Sequence, residues 1–197
     1  EQIIYFGDTA HLPYGEKSAQ AIKSYSEKIC SFLVERNCKL VVIACNTASS
    51  VAYRPLKKEF GDQLKIINVI SPVVKAVVRE GTETVGVIST KGTARSGIYP
   101  RKLKKRKPEI KVHSQATPLL APMIEEGFFN NNISQTIINS YLSKKHFKNI
   151  EALILACTHY PLIKKEIENY YKGSVKVFDS TLILSLIHIS EPTRHRR

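Results

Sequence analysis

The sequence predicts an α/β fold of two similar parallel-sheet α/β domains, with the site in the cleft between them. Short aliphatic runs alternate with segments of helical periodicity, the pattern of βα units. Two of those runs, Leu40 to Ala44 and Ala152 to Ala156, end alike: Ala-Cys, then hydrogen-bonding residues, at Cys45-Asn46-Thr47 and Cys157-Thr158-His159. The two thiols lie 112 positions apart, which suggests one in each half. Open α/β sheets place ligands at the carboxyl ends of their strands, so both thiols are expected at a binding face.

In chain order, Gln2 to Phe6 reads as a strand and Gly7 to Gly15 as a loop rich in turn formers. Ser18 is the expected N-cap of a helix whose Ile22, Tyr25, Ile29 and Phe32 recur at three-and-four spacing and make one buried face. Leu40 to Ala44 is the next strand, and a helix follows through Val51 and Leu56 to Phe60, delayed or kinked by Pro55. Leu64 to Ile70 is a third strand, after which Ser71-Pro72 opens a helix with proline in its first turn. The domain boundary is placed here, giving a first domain over 1–70 and a second over 71–178.

In the second domain, Thr84 to Ser89 is a strand, and Thr90 to Thr93 is a polar loop before a helix that ends in a basic run. Ile110 to Ala116 alternates as a strand, Pro118 to Gly127 carries Glu125-Glu126, and Ile133 to Lys145 is an amphipathic helix. Ala152 to Ala156 brings the second thiol, Pro161 to Tyr171 is a helix, and Val175 to Phe178 is the last strand. Residues 179–183 begin a return to the first domain.

With 197 residues, 43% of them hydrophobic, the chain can bury a sizeable core. No apolar run reaches the ~20 residues that span a bilayer, and no basic-then-apolar leader opens the chain. A soluble, cytoplasmic protein without a membrane partner is expected. Cys30, Cys38, Cys45 and Cys157 lack the compact spacing of a disulfide framework, which favours reduced thiols. The net charge is +13, densest from Arg101 to Lys107. Such a run can contact phosphates, but it has no interleaved aromatics and ends a helix, so it reads as a solvated helix end and nucleic acid is not the expected partner.

Leu184 to Arg194 resembles the conceptual translation of a transposase-end adapter from a sequencing library. Residues 184–197 are set aside as a non-native tail, a natural extension being the alternative. Without the tail's three arginines and one glutamate the formal charge is +11.

A cysteine between a strand and the following helix can feel the helix N-terminus, which favours the thiolate. The same backbone donors can hold a carboxylate, with Asn46, Thr47 and Thr158 as further donors and His159 placed to tune Cys157. Two thiols across one ligand suit proton removal on one face and proton return on the other, with the roles exchanged in reverse. A buried cysteine is often only a small hydrophobe, and Cys30 and Cys38 are read that way. Zinc held by Cys45, Cys157 and His159 lacks a fourth ligand and paired spacing, and a redox disulfide lacks Cys-x-x-Cys.

Tyr5-Phe6-Gly7-Asp8-Thr9, Pro13-Tyr14-Gly15, Ala44-Cys45-Asn46-Thr47-Ala48-Ser49, Glu125-Glu126-Gly127 and Cys157-Thr158-His159-Tyr160-Pro161 occur in that order. Together they resemble glutamate racemase, of the aspartate/glutamate racemase superfamily, from Glu1 to about Thr181. The resemblance implies interconversion of L- and D-glutamate with no cofactor and no metal, supplying D-glutamate for bacterial peptidoglycan. Glutamate is then the partner, and a homodimer is one assembly open to the protein.

The resemblance implies that Cys45 and Cys157 are the acid/base pair on opposite faces of the substrate α-carbon. Cys45 would deprotonate D-glutamate and Cys157 L-glutamate. Tyr14, Gly15, Asn46, Thr47, Thr93 and Thr158 match substrate-contacting positions. His159 matches a residue that contacts substrate and assists the second cysteine, and Glu125 a carboxylate that supports it. Plainer roles compete: a turn for Gly15, packing for Tyr14, a surface charge for Glu125, and helix caps for Thr93, Asn46 and Thr47.

His11 stands where the family commonly has Arg, and Thr117 where it has Cys. The family's opening strand and Asp-Ser-Gly loop, and its closing helices after Asp179-Ser180, have no counterpart here. A fragment cut at both ends is therefore expected, with exposed sheet edge and apolar surface that favour aggregation. The competing functions are aspartate racemase of the same superfamily and, from a different class, a non-catalytic fragment that binds a ligand or nucleic acid.

Overall fold

The computed structural model describes residues 2–181 and 183, so the tail set aside at 184–197 lies outside the described residues. Helix α1 (Ala19–Glu35) opens at Ser18, whose Oγ accepts from the Ala21 N–H at 3.1 Å and satisfies one of the orphan donors of the first turn. Its buried face is Ile22, Ser26, Cys30 and Leu33, rotated from the expected stripe. Tyr25 and Phe32 instead meet the opening segment. Tyr25 stacks on His11 with ring centroids 3.8 Å apart, and Phe32 meets Phe6 at 5.5 Å.

That opening segment departs most from expectation. Gln2 to Phe6 is not a strand, and Ile3 and Tyr5 are 91% and 90% exposed. Strand formation requires a ladder partner for the backbone groups, and none of the described residues provides one.

β1 (Leu40–Ile43) and β2 (Lys65–Asn68) pair in parallel, Leu40 opposite Lys65 and Ile43 opposite Asn68. Between them run α2 (Asn46–Val51) and α3 (Tyr53–Phe60), separated at Ala52. Pro55 falls in the first turn of α3, where backbone N–H groups have no intrahelical partner, so its missing donor is tolerated. α1 and α3 cover one face of this sheet around Cys30, Leu56, Phe60, Leu64 and Ile66. On the other face Leu40 and Val42 stay half exposed. With one neighbouring strand and one helical layer among the described residues, alternate side chains of β1 remain in solvent.

Asn68 closes β2 by accepting from the Ile70 and Ser71 N–H groups at 3.1 and 2.9 Å, which starts α4 (Ile70–Arg79). Then come β3 (Thr84–Ser89), α5 (Lys91–Ser96), α6 (Ile98–Arg106), β4 (Lys111–Ala116), α7 (Leu120–Glu125), α8 (Asn132–Leu142), β5 (Ala152–Ala156), α9 (Lys164–Tyr170) and β6 (Lys176–Asp179). The four strands form a parallel sheet in the order β4-β3-β5-β6. α4 and α6 pack on one face through Val73, Val77, Tyr99 and Leu103. α7, α8 and α9 pack on the other through Leu120, Ile138 and Ile167. Cover on both faces is why β5 is buried at every position, as its unbroken aliphatic run foretells.

The basic run forms the end of α6, as expected. Leu103 is wholly buried, Lys102 Nζ donates to Ser71 Oγ at 3.0 Å, and Lys107 Nζ donates to the Gly81 and Thr82 carbonyls at 2.8 and 3.0 Å. No described helix is long and apolar enough to cross a membrane.

One glycine in β3 permits the packing beneath it. A Cβ on Gly86 would lie 2.7 Å from Phe147 Cε1, 2.8 Å from Ile150 Cδ1 and 2.9 Å from Leu153 Cδ1. Gly86→Ala is expected to destabilise the fold by about 1–3 kcal/mol, because three packed side chains must shift together. Urea denaturation checks this, and an unchanged midpoint would show that the core yields without strain.

Candidate active site

The two thiols stand at the carboxyl ends of β1 and β5. Cys45 is the N-cap of α2, and its Sγ accepts from the Ala48 N–H at 3.5 Å. Burial pushes its pKa up, against the opposing pull of the Ala48 and Thr47 N–H groups and the Thr47 side chain. Cys157, buried just beyond β5, is pushed up to about 12, first by burial and further by the charges of Cys45 and Glu125; hydrogen bonds from the His159 and Tyr160 backbones oppose the shift. The backbone donors therefore do not favour the thiolate on balance: desolvation outweighs them at both sulfurs. Cys45 contributes to the rise at Cys157, so the two sulfurs lie within electrostatic reach of each other.

Cys157 is backed by a histidine and a carboxylate, an arrangement that Cys45 lacks among the described residues. Its Sγ lies 3.5 Å from His159 Nδ1, and His159 Nε2 lies 2.9 Å from Glu125 Oε1 at the end of α7. With Nε2–H donating to the carboxylate, Nδ1 is left as an acceptor for the Cys157 S–H. Thr158 is exposed in the turn between them.

Around Cys45, the loop after β3 meets α2 through three hydroxyls. Thr47 Oγ1 lies 2.9 Å from Thr90 Oγ1 and 3.2 Å from Thr93 Oγ1, and Thr90 Oγ1 lies 3.2 Å from Thr93 Oγ1. Thr90, not Thr93, caps α5: its Oγ1 accepts from the Thr93 N–H at 3.3 Å. The capping role weighed for Thr93 is thus corrected, and its buried hydroxyl joins the cluster instead. Gly15 is required by close approach: a Cβ there would lie 2.7 Å from Thr90 Cβ.

Tyr14 O–H donates to Asp8 Oδ2 at 2.6 Å, and His11 Nδ1 lies 2.7 Å from Asp8 Oδ1. Burial alone would raise the Asp8 carboxyl, but these two partners hold it below the usual carboxylate range. His11, found where the family commonly has Arg, thus supplies the partner for Asp8. The Tyr14 phenol is raised by burial and by Asp8, and the charge of Cys45 also reaches it.

Asn46 is buried, its Oδ1 accepts from Tyr99 O–H at 2.7 Å, and its Nδ2 has no partner among the described residues. The sequence reading missed Asp8, Thr90 and Tyr99 as site components. Asp8 was visible inside Gly-Asp-Thr, and Thr90 three residues before Thr93 has N-cap spacing, whereas nothing local marks Tyr99. Among the described residues no three His, Cys, Asp or Glu side chains are grouped so as to hold a metal ion.

Comparison with known proteins adds to this geometry. The Asp/Glu/Hydantoin racemase family model matches residues 2–185. A glutamate racemase of Geobacter metallireducens is 43% identical over 183 residues, 91% of this chain and 66% of the relative, so the chain spans about two thirds of that relative's length. The crystal structure of glutamate racemase from Francisella tularensis in complex with D-glutamate superposes with a TM-score of 0.89 at 40% identity, covering 96% of this chain and 70% of that one. An aspartate racemase from Picrophilus torridus, at 24% identity and a TM-score of 0.59 over 91% of this chain and 72% of that one, shares the fold. With two sulfurs at the ends of parallel strands and a family match over nearly all the described residues, the chain belongs to the Asp/Glu/Hydantoin racemase family.

Proposed function

We propose that the protein interconverts L- and D-glutamate by proton transfer at the α-carbon, without a cofactor, and supplies D-glutamate for peptidoglycan in the bacterial cytoplasm. The observation that carries this reading is the pair Cys45 and Cys157, each at the carboxyl end of a parallel strand and each raised in pKa by burial. A thiol held in water near ~8.5 gives a weak base, whereas a desolvated sulfur of higher pKa gives a stronger one for a carbon acid. Cys157 can pass its proton to His159 and, as the family resemblance implies, is the base toward L-glutamate, while Cys45 delivers a proton to the opposite face. In reverse the two exchange roles. Asn46 and the hydroxyls of Thr47 and Thr93 lie beside Cys45 as donors to the substrate carboxylates, with Tyr14 and Gly15 closing that side.

The pH dependence has a definite sign. The attacking sulfur must be thiolate, its pKa lies above neutrality, and the thiolate fraction grows about tenfold per pH unit below that pKa. The value of kcat/KM is expected to rise between about pH 7 and 9, the partner sulfur staying protonated because its pKa is also raised. A profile that falls over this interval would contradict the assignment.

Turnover of L-glutamate against L-aspartate, followed by circular dichroism with protein expressed from the complete reading frame, tests the substrate. Glutamate turnover with aspartate inert is the expected result, and the reverse would install the aspartate reading.

A further inference from the structure

Asn46 Nδ2 is the one buried side-chain nitrogen or oxygen among the described residues without a hydrogen-bond partner, and it sits on the residue that follows Cys45. A buried amide donor left without an acceptor is costly, so its persistence at a site calls for an acceptor that arrives with the ligand. The other end of the same amide is held by Tyr99, from α6 and 53 residues away, whose O–H donates to Oδ1 at 2.7 Å. Tyr99 itself is 2% exposed and packed in the core between α4, α6 and the four-stranded sheet, so its ring has little freedom to follow a moving partner.

We propose that Tyr99 is a positioning residue: it fixes the Asn46 amide with its oxygen toward the core and presents the Nδ2 donor to a carboxylate of the bound amino acid. An amide can be turned over at small steric cost, so something must choose which end faces the ligand. Turned over, Asn46 would aim an oxygen at an anion and leave the Tyr99 hydroxyl proton without an acceptor inside the core. In the orientation observed Oδ1 accepts the Tyr99 hydroxyl proton and Nδ2 is left to donate to an acceptor on the ligand. Through this bond Tyr99, on a helix packed against the four-stranded sheet, is tied to the first thiol loop. The inference rests on the glutamate reading for its ligand and on the Tyr99–Asn46 geometry for its positioning role.

Tyr99→Phe removes the hydroxyl and keeps the ring, so the core stays filled. It is expected to weaken D-glutamate binding, measured by calorimetry, about tenfold, to raise KM more than it lowers kcat, and to add little once Asn46→Ala is present. The side-chain amide resonances of Asn46 should shift or broaden in Tyr99→Phe, and in the unsubstituted protein they should shift on addition of glutamate. Unchanged affinity in Tyr99→Phe, while the parent racemises glutamate, overturns the positioning role and leaves the function standing. If the parent neither binds nor turns over glutamate, the function falls, and the Asn46 resonances alone then decide whether Tyr99 holds the amide. Resonances unmoved by Tyr99→Phe overturn it in either case. Should that variant not fold, the glutamate-induced shift in the unsubstituted protein decides: absence of a shift at saturating ligand removes the donor role on which the proposal depends.

Discussion

Replacing Cys45 or Cys157 by serine is expected to lower racemisation by about 10³-fold in both directions. Serine preserves size and can still accept from the Ala48 N–H that caps α2 at residue 45. What it removes is an ionisable group whose anion is accessible at workable pH. Each direction uses one sulfur as base and the other as acid, so loss of either stops inversion. For enantiomers the equilibrium constant is unity, and kcat/KM must therefore fall equally both ways. Exchange of the α-proton separates the two variants. With Cys45→Ser, the surviving Cys157 should still exchange the α-proton of L-glutamate without inverting it; with Cys157→Ser, Cys45 should do so for D-glutamate. Wild-type turnover in either variant would sink the two-thiol mechanism. Loss of all exchange, in a variant that still binds glutamate, would count against the assignment of faces.

Removing the imidazole is expected to have the second-largest effect. His159 Nδ1 is 3.5 Å from Cys157 Sγ and Nε2 is 2.9 Å from Glu125 Oε1, and among the described residues no equivalent imidazole–carboxylate pair touches Cys45. His159→Asn should lower kcat/KM about 10²-fold, since the buried thiol loses its nearby proton acceptor. Glu125→Gln should cost less, because the ring remains and only its orienting acceptor is weakened. Both side chains are partly exposed, at 34% and 41%, so the thermal midpoint should barely move. A large fall in midpoint would assign them a structural role instead. The alkaline rise in kcat/KM should also move to higher pH in His159→Asn, because Cys157 would then ionise without an imidazole to receive its proton.

The parts of the fold that were legible in the sequence are those decided locally. Ser18 caps α1, and the aliphatic runs at 84–89 and 152–156 become β3 and β5 because sheet neighbours and two helical layers agree with their composition. What failed depended on partners distant in the chain. Gln2 to Phe6 has strand composition and no ladder partner among the described residues. The stripe assigned to α1 was rotated by ring contacts to Phe6 and His11. At the site, the thiol loops were visible as repeated Ala-Cys endings, whereas the sign of the thiol shifts was not: a helix N-terminus can be read from sequence, and the burial that outweighs it cannot. Tyr99 was invisible for the same reason, since its partner Asn46, 53 residues away, is brought to it only by the tertiary fold.

The most direct test is racemisation of glutamate in heavy water, without pyridoxal phosphate, by the protein expressed from its complete reading frame. Two solvent-exchanging sulfurs on opposite faces predict that each product molecule carries deuterium at Cα while the remaining substrate stays largely protiated early in the reaction. Product that keeps the original α-hydrogen would contradict the two-thiol account, because the proton would then have crossed from face to face without visiting two separate bases.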